Sequence, residues 1–281
     1  MSADLLRTVG EVRAAVAGAR RAGRNIGCVP TMGALHEGHG ALIDRAVEAG
    51  DFTVVTVFVN PIQFDRREDY EAYAISLPAD VEFCGRRGAA VAFAPSVAEM
   101  YPEGFATTVE VPSLAQNLCG AFRPGHFRGV ATVVAKLLNI VQPDTAYFGE
   151  KDGQQLAIIR QMAADLNLPL HIVAVPTVRE ADGLALSSRN RRLSEAERRI
   201  APLLHLALEA GRRKIAEGSR DPAEVRRAAF AVLEAEPAFR VEYVEVVDAQ
   251  RMQAVDAIAG DVRIAAAVWL GSTRLIDNVP A

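Results

Sequence analysis

The stretch VPTMGALHEGHGALIDRA, residues 29–46, decides how the chain folds. It leaves an apolar strand-like run at 25–29, crosses a glycine-rich turn and enters GHGALIDRAVEAG, whose apolar residues follow a helical period. Leu42, Ala46 and Ala49 are expected on one face of that helix, with Gly50 as its C-terminal stop. Gly38 and His39 then fall at the helix N-terminus, where backbone N–H groups and the positive end of the dipole favour an anion. Gly33 and Gly38 leave room for a ligand to approach the backbone. His36 and His39 add imidazole donors that can become cationic beside phosphate.

Working outward, apolar runs recur at NIGCV, FTVVTVFV, AAVAFA, TAYFG and HIVAV, ending near residues 29, 59, 94, 149 and 175. They are continuous rather than alternating, as strands buried on both faces must be. A helical pattern lies between several of them, clearest in GVATVVAKLLNIV, where Val130, Val133, Val134, Leu137, Leu138 and Val141 share a face. The expected fold class is α/β: a doubly wound parallel sheet of Rossmann-like type. After about residue 180 the texture changes. SEAE at 194–197 and DPAE at 221–224 read as starts of two helices, and VEYVEVVDA and RIAAAVWLG as strands of a smaller α+β domain. The expected division is 1–180 for nucleotide and substrate and 181–281 for a C-terminal lid.

The 281 residues carry a net charge of −4, which argues against a protein that coats nucleic acid or an anionic membrane. Three separated cysteines, Cys28, Cys84 and Cys119, suggest neither a disulfide framework nor a zinc site. Asp4 and Arg7 interrupt any secretory signal and no apolar run is long enough to span a bilayer, so a soluble cytoplasmic protein is expected. The glycine spacing matches neither G-x-G-x-x-G nor the phosphate loop ending in G-K-S/T. HEGH places its histidines three apart rather than four, so the zinc-protease motif is excluded and no metal-ligating residue is assigned.

An H-x-G-H element after the first strand resembles the nucleotidylyltransferase superfamily. PTMGALHEGH together with VNPIQF at 59–64, RPGHFRGVATVVAKL at 123–137, FGEKDGQQL at 148–156 and DGLALSSRN at 182–190 is similar to the pantoate–β-alanine ligase family. The resemblance covers most of residues 24–190. It implies an ATP- and magnesium-dependent reaction in two halves. Pantoate carboxylate attacks the α-phosphorus of ATP, giving pantoyl adenylate and pyrophosphate; β-alanine amine then displaces AMP to give pantothenate, an intermediate of coenzyme A synthesis.

It also implies roles residue by residue. Met32, Gly33, Ala34, Leu35, His36, Glu37, Gly38 and His39 line the ATP site, with His39 donating a proton to the departing phosphate. Lys151 contacts the α-phosphate, and Ser187, Ser188 and Arg189 grip the β- and γ-phosphates. Gly149, Glu150, Lys151 and Asp152, with the backbone around Val178, hold ribose and adenine, and Leu186 also belongs to the ATP site. Gln63 and Gln155 contact pantoate, and Gln63 also β-alanine. A homodimer is implied as well.

Taken alone, several of these residues have plainer readings. Lys151 and Asp152 also read as a solvent-facing pair, Gln154 and Gln155 as helix surface, and Ser187 and Ser188 as loop hydroxyls. Arg123 and His126 can cap the following helix rather than bind substrate. The chain also departs from the family pattern. Tyr73, Ala74, Ile75 and Ser76 stand where the family carries Y-P-R-T, and Gly153 replaces a bulkier residue. Asp80, close by, is a candidate to approach magnesium, although phosphate oxygens and water are the expected ligands. Two rival readings are a nucleotidylyltransferase for another small substrate and a binding protein that has lost turnover.

Overall fold

Six parallel strands run β1 (Asp4–Leu6), β2 (Ile26–Thr31), β3 (Phe52–Val57), β4 (Val91–Phe93), β5 (Thr145–Gly149) and β6 (His171–Val175). Their order across the sheet is β1-β4-β3-β2-β5-β6. The computed structural model describes residues 2–65, 70–71, 73 and 76–281. Every expected strand of the sheet is present. β1 is additional: three residues give no periodic signal, and its place is fixed by pairing Asp4–Leu6 with Val91–Phe93.

The chain enters at the edge, fills β2, β3 and β4 in turn, then crosses back to lay β5 on the other side of β2. That reversal opens a crevice at the C-terminal ends of β2 and β5, where doubly wound sheets bind ligands. Helices α1 (Val9–Arg21), α2 (Glu37–Glu48), α3 (Leu77–Arg86), α4 (Val97–Met100), α5 (Leu118–Phe122), α6 (His126–Val141) and α7 (Gly153–Asp165) intervene. On α2 the buried positions are Leu42, Ile43 and Ala46, whereas Ala49 is exposed because the helix ends there, ahead of Gly50 at φ 79. Val29, Leu35, Ile43, Val55 and Ala92 form part of one core under that helix.

The chain falls into two compact units. One holds Met1–Pro112, Arg123–Glu150 and Ile158–Pro176; the other holds Ser113–Phe122, Lys151–Ala157 and Thr177–Ala281. In the second, α8 (Glu195–Ile200), α9 (Leu203–Ala216) and α10 (Pro222–Glu234) precede an antiparallel sheet of β7 (Phe239–Asp248), β8 (Val262–Leu270) and β9 (Thr273–Pro280). Ser194 and Glu197 close the expected capping box on α8. Asp221 caps α10 through the Ala223 N–H, while Glu224 accepts from Ser219 instead of completing a box. Three helices stand where two were expected, because α8 stops at Ile200 and Pro202 heads a new helix. Leu204, Leu208, Val225, Leu233, Ile264 and Val268 belong to their common core. Among the described residues no helix is long and apolar enough to cross a membrane.

Candidate functional site

The turn after β2 is specified almost amide by amide. Gly33 and Ala34 both take left-handed backbone, φ 81 and 51, a conformation that costs a non-glycine residue about 1–2 kcal/mol. The Gly33 N–H donates to Thr31 Oγ1 at 3.1 Å, and that hydroxyl donates to the Thr56 carbonyl at 2.6 Å. The Ala34 and Leu35 N–H groups donate to the two carboxylate oxygens of buried Asp80, at 3.0 and 2.8 Å. Asp80 is therefore engaged by backbone.

His36 then caps α2. Its Nδ1 accepts the Gly38 N–H at 3.1 Å, while Nδ1 of His39 accepts the His36 N–H at 3.3 Å, and the two rings lie with centroids 4.1 Å apart. A ring nitrogen that accepts an N–H carries no proton, so each neutral imidazole bears its proton on Nε2. The turn thus spends its own amides on protein acceptors. Leu35 is buried in the core and Glu37 pairs with Arg87. At Gly40 a Cβ would meet the guanidinium of Arg87, which also pairs with Asp44, so a side chain there would displace that end of the arginine.

Gln63 is buried in a one-turn 3-10 segment, Pro61–Gln63. Its Oε1 accepts from Asn60 Nδ2 at 2.9 Å, and its Nε2 donates to Met32 Sδ at 2.9 Å, so the expected pantoate residue touches the expected ATP turn. Asn60 is itself held by the Tyr101 hydroxyl at 2.7 Å and donates to the Gly129 carbonyl at 3.1 Å. Gly129 permits this: a Cβ there would meet the Ile62 carbonyl oxygen at 2.3 Å. His126 Nδ1 donates to the Gln63 carbonyl at 2.7 Å, and its Nε2 accepts from Arg123, which pairs with Asp65 at 2.8 Å. Arg123 and His126, read from sequence as helix caps or substrate contacts, are anchored beside Gln63. Asn60 carried no sequence signal beyond its place in VNPIQF.

In the second unit, a small cleft is lined by Lys151, Ser187, Arg189, Asn190, Arg274 and Asp277 among others. Arg179 neutralises Asp277 through two hydrogen bonds, and Glu242 pairs with Arg274. Lys151 and Arg189 bring two further cationic side chains to the lining of the cleft. The Lys151 carbonyl accepts from Asn278 Nδ2 at 3.0 Å, which ties down its backbone and not its ammonium. Val178 and Leu186 face each other across a hairpin, the Leu186 N–H donating to the Val178 carbonyl at 3.0 Å. Ser187 Oγ accepts the Arg189 N–H at 3.2 Å and starts a 3-10 segment, Ser188–Arg192.

Gly149 ends β5, and Glu150–Asp152 form a half-buried 3-10 turn. The two glutamines that follow differ. Gln154 is buried and donates to the Leu114 and Asn117 carbonyls, so it is not helix surface, whereas Gln155 is half-buried. Of the segment departing from the family pattern, Ala74 and Ile75 lie outside the described residues. All three cysteines are free and buried, and burial pushes the Cys28 and Cys84 thiols up to about 12. Among the described residues no cluster of three His, Cys, Asp or Glu side chains is arranged to hold a metal ion.

The chain matches a family model described as pantoate-beta-alanine ligase over residues 4–280. It is 52% identical over 276 residues to the pantothenate synthetase of Moorella thermoacetica, covering 98% of each chain. Among solved structures, it resembles the pantothenate synthetase of Thermus thermophilus with a TM-score of 0.93 at 47% identity, covering 98% of each chain. The pantoate-beta-alanine ligase of Francisella tularensis, complexed with beta-gamma ATP and beta-alanine, matches with a TM-score of 0.80 at 32% identity. It covers 99% of this chain and 97% of its own.

Proposed function

This chain belongs to the pantoate–β-alanine ligase family and catalyses the ATP-dependent ligation of pantoate to β-alanine, and within that reaction we propose the following division of labour. The pantoate carboxylate attacks the α-phosphorus of ATP and expels pyrophosphate; the β-alanine amine then attacks the acyl carbon and expels AMP. A carboxylate is a poor acceptor for an amine, and adenylation supplies the leaving group.

In the first half, charge builds on the α-phosphate and pyrophosphate oxygens, so donors fixed in advance lower the barrier. The Nε2–H groups of His36 and His39 serve there, with His39 giving a proton to the departing phosphate. Lys151 meets the α-phosphate as a mobile point charge, and Ser187, Ser188 and Arg189 take the β- and γ-phosphates. Met32, the backbone of residues 33–38, residues 149–152, Val178 and Leu186 accommodate ribose and adenine. The substrate is MgATP. Phosphate oxygens and water are the expected ligands of a cation that keeps much of its hydration.

Gln63 and Gln155 recognise pantoate, Gln63 also β-alanine. Gln63 uses one donor and one acceptor on Met32 and Asn60, and an amide has a second of each to offer a hydroxyl. The second half needs little beyond approach geometry, because a trapped adenylate beside an unprotonated amine is already activated. We read the enzyme as homodimeric from the family resemblance and as cytoplasmic from its free, separated cysteines.

The observation that supports this reading best is the reciprocal capping of α2 by two histidines, which directs both protonated nitrogens away from the helix amides. Supplying ATP, magnesium, pantoate and β-alanine should give AMP only when both organic substrates are present, and pantoate alone should support ATP–pyrophosphate exchange. AMP without pantoate, or a dinucleotide product, would refute it.

A further inference from the structure

We propose that Asp80 is the positioning residue of the histidine-bearing turn: its buried carboxylate holds Ala34 in left-handed backbone and thereby sets both imidazoles for the adenylation half-reaction. The inference rests on the function proposed above and goes beyond it, because it gives Asp80 a task that is neither metal ligation nor substrate contact.

Three observations converge on it. The first is conformational. Gly33 takes φ 81 without penalty, but Ala34 at φ 51 pays for its Cβ, so something outside the turn must hold it. The second is the match between donor and acceptor. Two consecutive N–H groups, those of Ala34 and Leu35, meet the two oxygens of one carboxylate at 3.0 and 2.8 Å. An anion accepting from two amides forms charge-assisted bonds, stronger than the neutral bond Thr31 makes to the preceding amide. The third is where Asp80 stands. It is 4% exposed and lies in the first turn of α3, where the helix dipole favours a negative charge despite burial.

The residues held in this way lead directly into the site. Leu35 follows Ala34 into the core, His36 caps α2, and His39 closes back on the His36 N–H. Rotation of the peptides at 34 and 35 would carry the His36 ring with them. Asp80 lies 41 residues beyond His39 in sequence, so no local pattern announces the link.

The test is kinetic, on the whole enzyme with magnesium titrated from the wild-type optimum upward. Asp80→Asn keeps the shape but sets an amide N–H₂ against one of the two N–H donors. It should lower kcat for pantoate-dependent ATP–pyrophosphate exchange about 10- to 100-fold and raise KM for ATP. The KM for β-alanine in the second half-reaction should stay within twofold. Adding Ala34→Gly to that variant should recover exchange several-fold, since glycine occupies left-handed backbone unaided. A second variant attacks the same turn with Asp80 intact: Ala34→Val, with a β-branched residue at positive φ, should give the same rise in KM for ATP.

Nitrogen NMR of the imidazoles should show Nε2–H tautomers at His36 and His39 in the wild type and a mixed population in Asp80→Asn. Exchange within twofold of wild type in Asp80→Asn overturns the proposal. So does a loss cured by raised magnesium and not by Ala34→Gly, or an unchanged KM for ATP in Ala34→Val if Asp80→Asn does not fold. Wild-type exchange is the separate control: its absence refutes the function, not the role of Asp80.

Discussion

His36 and His39 close a reciprocal hydrogen-bond pair on the N-terminus of α2, each with Nδ1 accepting a backbone N–H. In an ordinary capping box, serine and glutamate do this work and are finished. Here each side chain has a second nitrogen, so one ring atom builds the helix start and the role proposed above falls to the other.

That division predicts separable losses at His36. Asparagine is a strong N-cap and retains the helix start, whereas alanine forfeits it at a cost of about 1 kcal/mol. His36→Asn should therefore keep the wild-type melting temperature within about 2 °C, and His36→Ala should lower it by several degrees. Both should lose pantoate-dependent exchange by at least about tenfold, since neither supplies Nε2–H. Wild-type exchange in His36→Asn would reduce the residue to a cap.

Lys151 offers the cleanest separation of fold from function. What the structure fixes is its carbonyl, through Asn278, and its side chain only lines the cleft shared with Ser187 and Arg189. Lys151→Ala should unfold at the wild-type temperature yet lose about 10²–10³-fold in pyrophosphate release, the scale expected when one preorganised charge is removed. An unchanged release rate takes Lys151 out of the mechanism.

Much of this was readable from residues alone, and the boundary has physical causes. Buried parallel strands leave continuous apolar runs, so β2 through β6 announced themselves, and the α2 start was legible from glycine and histidine spacing. What escaped was non-local. β1 is three residues long, and β9, TRLIDNVP, mixes charge with apolar residues because it completes a sheet only by pairing with β8. Gln154 looks like helix surface until its partners, 37 and 40 residues earlier, are known. Asp80 and Asn60 act through tertiary hydrogen bonds that no spacing rule encodes.

Gly153 illustrates a departure from the family pattern that the fold accommodates. A Cβ at 153 would lie 3.0 Å from Cε and 3.3 Å from Sδ of Met252, a buried residue held at φ 56. Met252 occupies the space that a larger side chain at 153 would enter. Gly153→Phe should destabilise the second unit by about 1–3 kcal/mol through overpacking. Met252→Ala in that background should restore part of the loss, so chemical denaturation of the two singles and the double must show favourable coupling. Strict additivity would mean that the two side chains do not compete for one space.

The hairpin carrying Val178 and Leu186 has a built-in sensitivity to acid. His205 packs against Gly183 at its tip, with Nδ1 buried and without a hydrogen-bond partner among the described residues. Burial, aided by the Arg179 guanidinium and opposed by Asp277 and Glu209, lowers the pKa of His205 below the ordinary histidine value. The native ring is neutral at pH 7, so its 3.7 Å approach to Asp277 is not an ion pair there. Below a pH of about 6.5 the unfolded chain takes up a proton that the folded chain refuses, and stability falls with falling pH. The contribution is complete above that value and is lost progressively as pH drops towards the depressed native pKa. Thermal unfolding followed from pH 7.5 to 5.5 should show a steady fall for the wild type and a flatter profile for His205→Gln, which cannot titrate. Parallel profiles would show that protonation of His205 is not what loosens the hairpin.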